Sequence, residues 1–144
     1  MDLKVTRKAE VFLDTSYIIA LANFSDEYHS RAVQLSRQLK SEKIKVVTTR
    51  GILLEIGNAL SRFRLRSQSI QILRILEKDS QVTIIPLSEA LYFRAFKLYS
   101  QRLDKQWGLV DCISFVVMED HQIQAALTAD VHFRQAGFQA LLLD

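Results

Sequence analysis

Two kinds of apolar spacing alternate along the 144 residues. Short unbroken runs read as buried strands: "AEVFLD" (9–14), "IKVVTT" (44–49), "QVTIIPL" (81–87, ended by Pro86), "AALTAD" (125–130) and "FQALLL" (138–143). Between them, apolar residues recur every three or four positions, the period of a helix with one buried face. "TSYIIALANF" follows the first strand, with Thr15 or Ser16 able to cap it. "EYHSRAVQLSRQLKSE" keeps Ala32, Val33, Leu35 and Leu39 in phase. "RGILLEIGNALSRF" and "SQSIQILRILEK" are two more helices, the latter with Ile70, Leu73 and Leu76 on one face. "SEALYFRAFKLYSQRL" (88–103) aligns Leu91, Ala95, Leu98 and Leu103. "LVDCISFVVMEDH" is the next helix and "VHFRQAG" a short helical turn. Met118, Phe93 and Phe96 read as core.

Strands separated by helices imply right-handed crossovers and a mainly parallel sheet. Strands that are apolar almost throughout fit a sheet covered on both faces. The expected architecture is therefore α/β, a three-layer α/β/α sandwich. Four glycines and one proline leave little room for linkers, so residues 1–144 are expected to form a single domain.

Composition narrows the class. At 49% hydrophobic and 24% charged residues, the chain can build a core without disulfides or a structural metal. Cys112 stands alone, so an internal disulfide is excluded and a reducing compartment is expected. No signal peptide is visible in the charged start "MDLKVTRKAEVFLD", and no run reaches the roughly 18 apolar residues of a membrane span. The expected location is cytoplasmic, away from membranes. A net charge of +3 permits contact with nucleic acid without arguing for it.

The candidate chemistry lies in the acids. Ligands of a parallel sheet bind beyond the carboxyl ends of its strands. Asp14 and Asp130 close the first and fourth strands, while Glu55 and Asp111 are embedded in the apolar helical runs "ILLEIGNAL" and "GLVDCISF". Each has a structural alternative. Asp14 suits a helix cap, Asp130 a strand-end turn, and Asp111, three residues after Gly108, a first helical turn where the dipole favours an anion. The alternative is weakest for Glu55, because an acid inside a core run needs a partner. Taken together, the four suggest convergence on one pocket, where mutual repulsion calls for a cation. Oxygen ligands of this kind select Mg²⁺ or Mn²⁺. His29, His121 and His132 are scattered, so zinc is not expected.

The blocks "VFLDTSYIIAL", "ILLEIGNAL", "WGLVDCISFVVM" and "ALTADVHFRQAGF", in this order and spacing, resemble the signature blocks of the PIN-domain nucleases, and most closely the stand-alone VapC-type toxins. The resemblance spans residues 10 to 143. It implies a PIN-like fold and a metal-dependent endoribonuclease. Asp14, Glu55, Asp111 and Asp130 would be its acidic metal and catalytic site, holding one or two Mg²⁺ (or Mn²⁺) and activating water for phosphodiester hydrolysis. It also implies a homodimer and a small antitoxin partner, with "SYIIALANFSDEYHS" as a contact face. Thr15, Ser16 and Thr128 flank the acids and are candidates to orient them or a water, or equally to serve as caps and strand hydroxyls. Asn58, one helical turn from Glu55, reaches either the pocket or a neighbouring loop. In "SRFRLRS", Arg62, Arg64 and Arg66 are candidates to hold RNA phosphates, or form a solvated helix end. Unstacked loop bases are a better expected target than duplex. The pattern slips at Gly108, where family members often carry Ser or Thr; Asp104 is a peripheral candidate.

Competing classes fit less well. An Asp-nucleophile phosphatase needs a second acid where Ser16 stands, and a phospho-receiver domain needs a lysine that "ALTAD" lacks. Cys112 has no histidine nearby in sequence for covalent catalysis. An inactive PIN-like binding module would not need all four acids. A PIN nuclease that processes RNA, rather than a toxin, is a further alternative.

Overall fold

A computed structural model describes residues 10–144; Ala9, the first residue of the predicted first strand, lies outside them. Strands β1 (Glu10–Leu13), β2 (Lys45–Thr49), β3 (Val82–Ile85), β4 (Ala125–Leu127) and β5 (Gln139–Ala140) form one sheet. All its pairings are parallel and its order is β3-β2-β1-β4-β5. The helices among the described residues are α1 (Thr15–Ala22), α2 (His29–Ser41), α3 (Arg50–Ala59), α4 (Arg66–Lys78), α5 (Glu89–Gln101), α6 (Leu109–Asp120) and α7 (Val131–Gln135). The three-layer α/β/α architecture expected from the alternating spacing is present.

Strand alternation sends neighbouring side chains to opposite faces. Leu13, Val46 and Val82 line one cavity together with Tyr17 and Ile18 of α1, Leu39 of α2, and Ile72 and Leu76 of α4. Phe12 points the other way and begins an aromatic column. Its ring lies 6.2 Å from Phe133 of α7, which lies 5.0 Å from Phe115 of α6, which in turn lies 5.0 Å from Trp107. The last two contacts are edge-to-face, a geometry worth about 0.5–1.5 kcal/mol beyond burial. Hydroxyls start two helices: Thr49 Oγ1 accepts from Ile52 N at 3.1 Å and Ser88 Oγ from Leu91 N at 3.1 Å. Each satisfies an amide that the first turn leaves without a partner.

The strand order places the site. From β1 the chain moves to β2 and then β3, and later returns to the opposite side of β1 for β4. The connections after β1 and β4 therefore diverge, and a crevice opens beyond the ends of these two strands.

Several expectations shift. On α4 the inward stripe is Ser69, Ile72, Leu73 and Leu76, and Ile70 is 42% exposed. On α5 only Leu91 and Ala95 are buried. Phe93 and Phe96, read as core, are 63% and 47% exposed, while Met118 is fully buried. Leu103 lies past the end of α5 and is 89% exposed. On α4 and α5 the apolar residues exceed what one narrow inward stripe can take up, and Leu103 falls where the helix has already ended. The last strand is only Gln139–Ala140; Leu141 and Leu142 that follow are buried in a turn.

Candidate active site

Asp14 follows β1 directly and is 6% exposed. It occupies the N-cap position of α1, yet its side chain makes no capping bond. Neither Thr15 nor Ser16 caps that helix; both lie within its first turn. Asp14 Oδ2 instead accepts two hydroxyls, Ser16 Oγ at 2.9 Å and Thr128 Oγ1 at 2.6 Å. Those hydroxyls accept in turn from the backbone: Ser16 Oγ from Ala129 N at 2.9 Å, and Thr128 Oγ1 from Asp130 N at 3.0 Å. Two amide-to-hydroxyl relays thus converge on one carboxylate oxygen and join the end of β1 to the segment after β4. Chains of this kind polarise each member and fix the carboxylate's orientation. Oδ1 takes no part in them.

Glu55 lies mid-way along α3, half-buried, and its Oε1 accepts from Thr15 Oγ1 at 2.9 Å. Asp111 sits in the first turn of α6 and its Oδ2 accepts from Gly108 N at 3.0 Å. This is one half of a capping box; glycine has no hydroxyl to supply the other half. The position before α6 where family members often carry Ser or Thr therefore lacks a hydrogen bond. Asp130 does not close β4, which ends at Leu127; it caps α7, with Oδ1 accepting from His132 N at 2.9 Å.

Burial pushes the carboxyls of Asp14, Glu55 and Asp111 above the ordinary carboxylate range, and their mutual repulsion adds to it. Asp14 feels Asp111; Glu55 feels Asp14, Asp111 and Asp130; Asp111 feels Asp130. The donated hydroxyls and the Gly108 amide offset part of the effect. Contacts link the acids: Thr15, next to Asp14, donates to Glu55, Thr128 joins Asp14 to the Asp130 amide, and one imidazole nitrogen, of His132, lies beside both Asp111 and Asp130. Clustered carboxylates of this kind repel one another, and oxygen donors suit a hard divalent cation. Cys112, beside Asp111, is fully buried, and that burial pushes its thiol up to about 11, which excludes an activated thiolate.

One member of the site was missed from the sequence. His132 Nδ1 lies 3.1 Å from Asp111 Oδ2 and 3.3 Å from Asp130 Oδ1. Its available signal was its place two residues after Asp130, within the turn that Asp130 caps. The other histidines are elsewhere: His29 Nδ1 is 2.8 Å from the carbonyl oxygen of Ala20, and His121 ends α6.

The remaining candidates lie around the site or away from it. Arg62 and Arg64 are exposed in the α3–α4 connection. Arg66 donates through Nε at 3.0 Å and Nη2 at 2.8 Å to the carbonyl of Ser61, so it stitches that connection together. Asn58 is exposed near the end of α3, and its backbone carbonyl accepts from Ser61 Oγ. Asp104 is held by Arg102 at 3.0 and 3.1 Å, on the surface.

A mainly parallel sheet layered between helices is the architecture that the four sequence blocks led us to expect. Residues 11–139 match the PIN domain family, and the chain belongs to it. Among curated relatives it is similar to the 23S rRNA-specific endonuclease VapC20 of Mycobacterium tuberculosis. Identity is 28% over 128 residues, covering 89% of this chain and 95% of that protein. The crystal structure of Mycobacterium tuberculosis VapC20, described as a sarcin-ricin loop cleaving toxin, matches with a TM-score of 0.78 at 26% identity, over 90% of this chain and 96% of that one. FitAcB from Neisseria gonorrhoeae shares the fold, with a TM-score of 0.62 at 18% identity over 90% and 94%.

Proposed function

We propose that this protein is a metal-dependent endoribonuclease and the toxin of a toxin–antitoxin pair, acting in the cytoplasm. The observation that carries the reading is the network of contacts that links Asp14, Glu55, Asp111 and Asp130, drawn from four separate segments, beyond the ends of β1 and β4. Mg²⁺ or Mn²⁺ bound there supplies the charge that activates water and neutralises the scissile phosphate. Asp14, Asp111 and Asp130 hold the ion. Glu55, tied to Thr15, positions the attacking water or binds through one. Ser16 and Thr128 act on the reaction through Asp14, whose orientation they set. Arg62 and Arg64 attract the RNA backbone at the exposed α3–α4 connection, with Arg66 bracing it and Asn58 nearby.

The similarity to VapC20 supports a structured ribosomal RNA loop as substrate, one whose bases are splayed out of the stack. An antitoxin covers the acids, and a second copy of the chain completes the assembly. Exposed side chains suited to such contacts are Phe24, beyond the end of α1, and Tyr92, Phe93, Phe96 and Tyr99 along α5.

The test is cleavage of intact ribosomes and of a broad RNA panel with and without Mg²⁺ or Mn²⁺, followed by sequencing of the cleaved ends. The expected result is a defined cut in wild type that needs metal and is lost at least about a hundredfold in Asp14→Asn. Equal activity in both proteins, or none in metal-replete wild type, overturns the nuclease assignment.

A further inference from the structure

His132 occupies a constrained position. Asp130 Oδ1 accepts its backbone N–H, and the resulting turn carries the imidazole back over the carboxylates. Nδ1 then lies 3.1 Å from Asp111 Oδ2 and 3.3 Å from Asp130 Oδ1. One donor atom from each of the three residues falls within 4.8 Å of the others. Two ligands at adjacent corners of an octahedron with metal–ligand bonds of about 2.0–2.1 Å are themselves about 2.8–3.0 Å apart. Both separations from Nδ1 lie only a few tenths of an ångström beyond this edge length, a gap that a small side-chain rotation closes. A ring N–H shared between the two oxygens makes two bent, weakened bonds, whereas a cation bound to all three atoms satisfies each of them along its own lone pair. The ring is only 26% exposed, so its place is set by the fold.

We propose that His132 is itself a metal ligand through Nδ1, completing with Asp111 and Asp130 a mixed nitrogen–oxygen set. This rests on the metal-nuclease reading and makes it more specific. Imidazole nitrogen is a softer donor than carboxylate oxygen, so this shell favours Mn²⁺ over Mg²⁺ more strongly than four carboxylates do. The proton of the bound ring sits on Nε2, which fixes the tautomer.

The experiment is pulsed electron paramagnetic resonance of the full chain loaded with Mn²⁺, beside calorimetric titration with Mn²⁺ and with Mg²⁺. The expected spectrum shows a ¹⁴N coupling to Mn²⁺ that converts to the ¹⁵N pattern on labelling with ¹⁵N-histidine. Labelling needs no substitution and cannot disturb folding. His29 is engaged at Ala20, and His121 lies ten residues along α6 from Asp111, about 15 Å, so the signal reports on His132. In His132→Gln the coupling disappears, Mn²⁺ affinity falls at least about tenfold, and the preference for Mn²⁺ over Mg²⁺ narrows. Mn²⁺ binding without histidine coupling in wild type overturns the ligand role and leaves the nuclease reading intact. Absence of any Mn²⁺ or Mg²⁺ binding overturns both.

Discussion

At the scale of the residue, Asp14 shows how a buried carboxylate is made usable. Two hydroxyls, each backed by a backbone amide, hold Oδ2, and none of these groups carries a charge. Thr128→Val keeps the shape but strips Asp14 of one donor and leaves the Asp130 amide without its acceptor. The expected cost is about 1–3 kcal/mol in urea unfolding and a ten- to hundredfold loss of metal affinity. A neutral result in both measurements would remove the relay from the site. The raised pKa of Asp14 also has a sign in stability. Folded, metal-free protein keeps a proton there that the unfolded chain has already released. Above the ordinary aspartate value near 4, stability therefore falls as pH rises through the window up to the raised value. The stability of wild type minus that of Asp14→Asn, from urea unfolding without metal, is expected to decline over that window. A difference that climbs with pH would contradict the burial argument. Asp111 was legible as an acid inside an apolar run; His132 was not, because an isolated histidine in a short turn carries no periodicity.

At the scale of the element, α6 binds the site to the core. Its apolar run buries Cys112, Ile113, Phe115, Val117 and Met118, and this packing holds Asp111 still in the first turn. The weak point is its start, where Gly108 has extended backbone with φ −74° and open space, the nearest contact to an added Cβ being Asp111 Oδ2 at 3.7 Å. Gly108→Ser is expected to complete the capping box and stabilise the fold by a few tenths of a kcal/mol, read as a raised urea midpoint at unchanged slope. A lowered midpoint would show that the glycine is required there. Helix identity along the chain was legible from spacing, but helix orientation was less so. Phe93 and Phe96 of α5 joined the predicted core because hydrophobicity alone does not say which of two apolar stripes faces the sheet.

At the scale of the whole molecule, the crevice exists because the strand order turns back at β1. Segments after two strands and within two helices bring their acids towards it, and on the proposed reading a bound cation relieves their repulsion. Mn²⁺ at a hundred times its Kd is expected to stabilise the fold by about 2.7 kcal/mol, seen as a higher Tm, with most of the gain lost in Asp14→Asn. An unchanged Tm in wild type would argue against binding to the folded state. The strand order was not legible in the sequence. Alternating strands and helices imply a parallel sheet, but the neighbours of each strand follow from packing over long separations.

The sequence by itself determined the alternation of elements, the layered class, the four acids and the family those blocks resemble. These are local properties, set by periodicity, burial preference and spacing within short segments. The tertiary structure alone decided that Ser16 and Thr128 serve Asp14 rather than cap a helix, that Asp130 starts α7, and that His132 stands among the carboxylates. Thr128 and Asp14 are 114 positions apart, and His132 and Asp111 are 21 apart. Such pairings arise only when the sheet closes around β1, because a side chain's partner is set by where the backbone brings it and not by its neighbours in sequence.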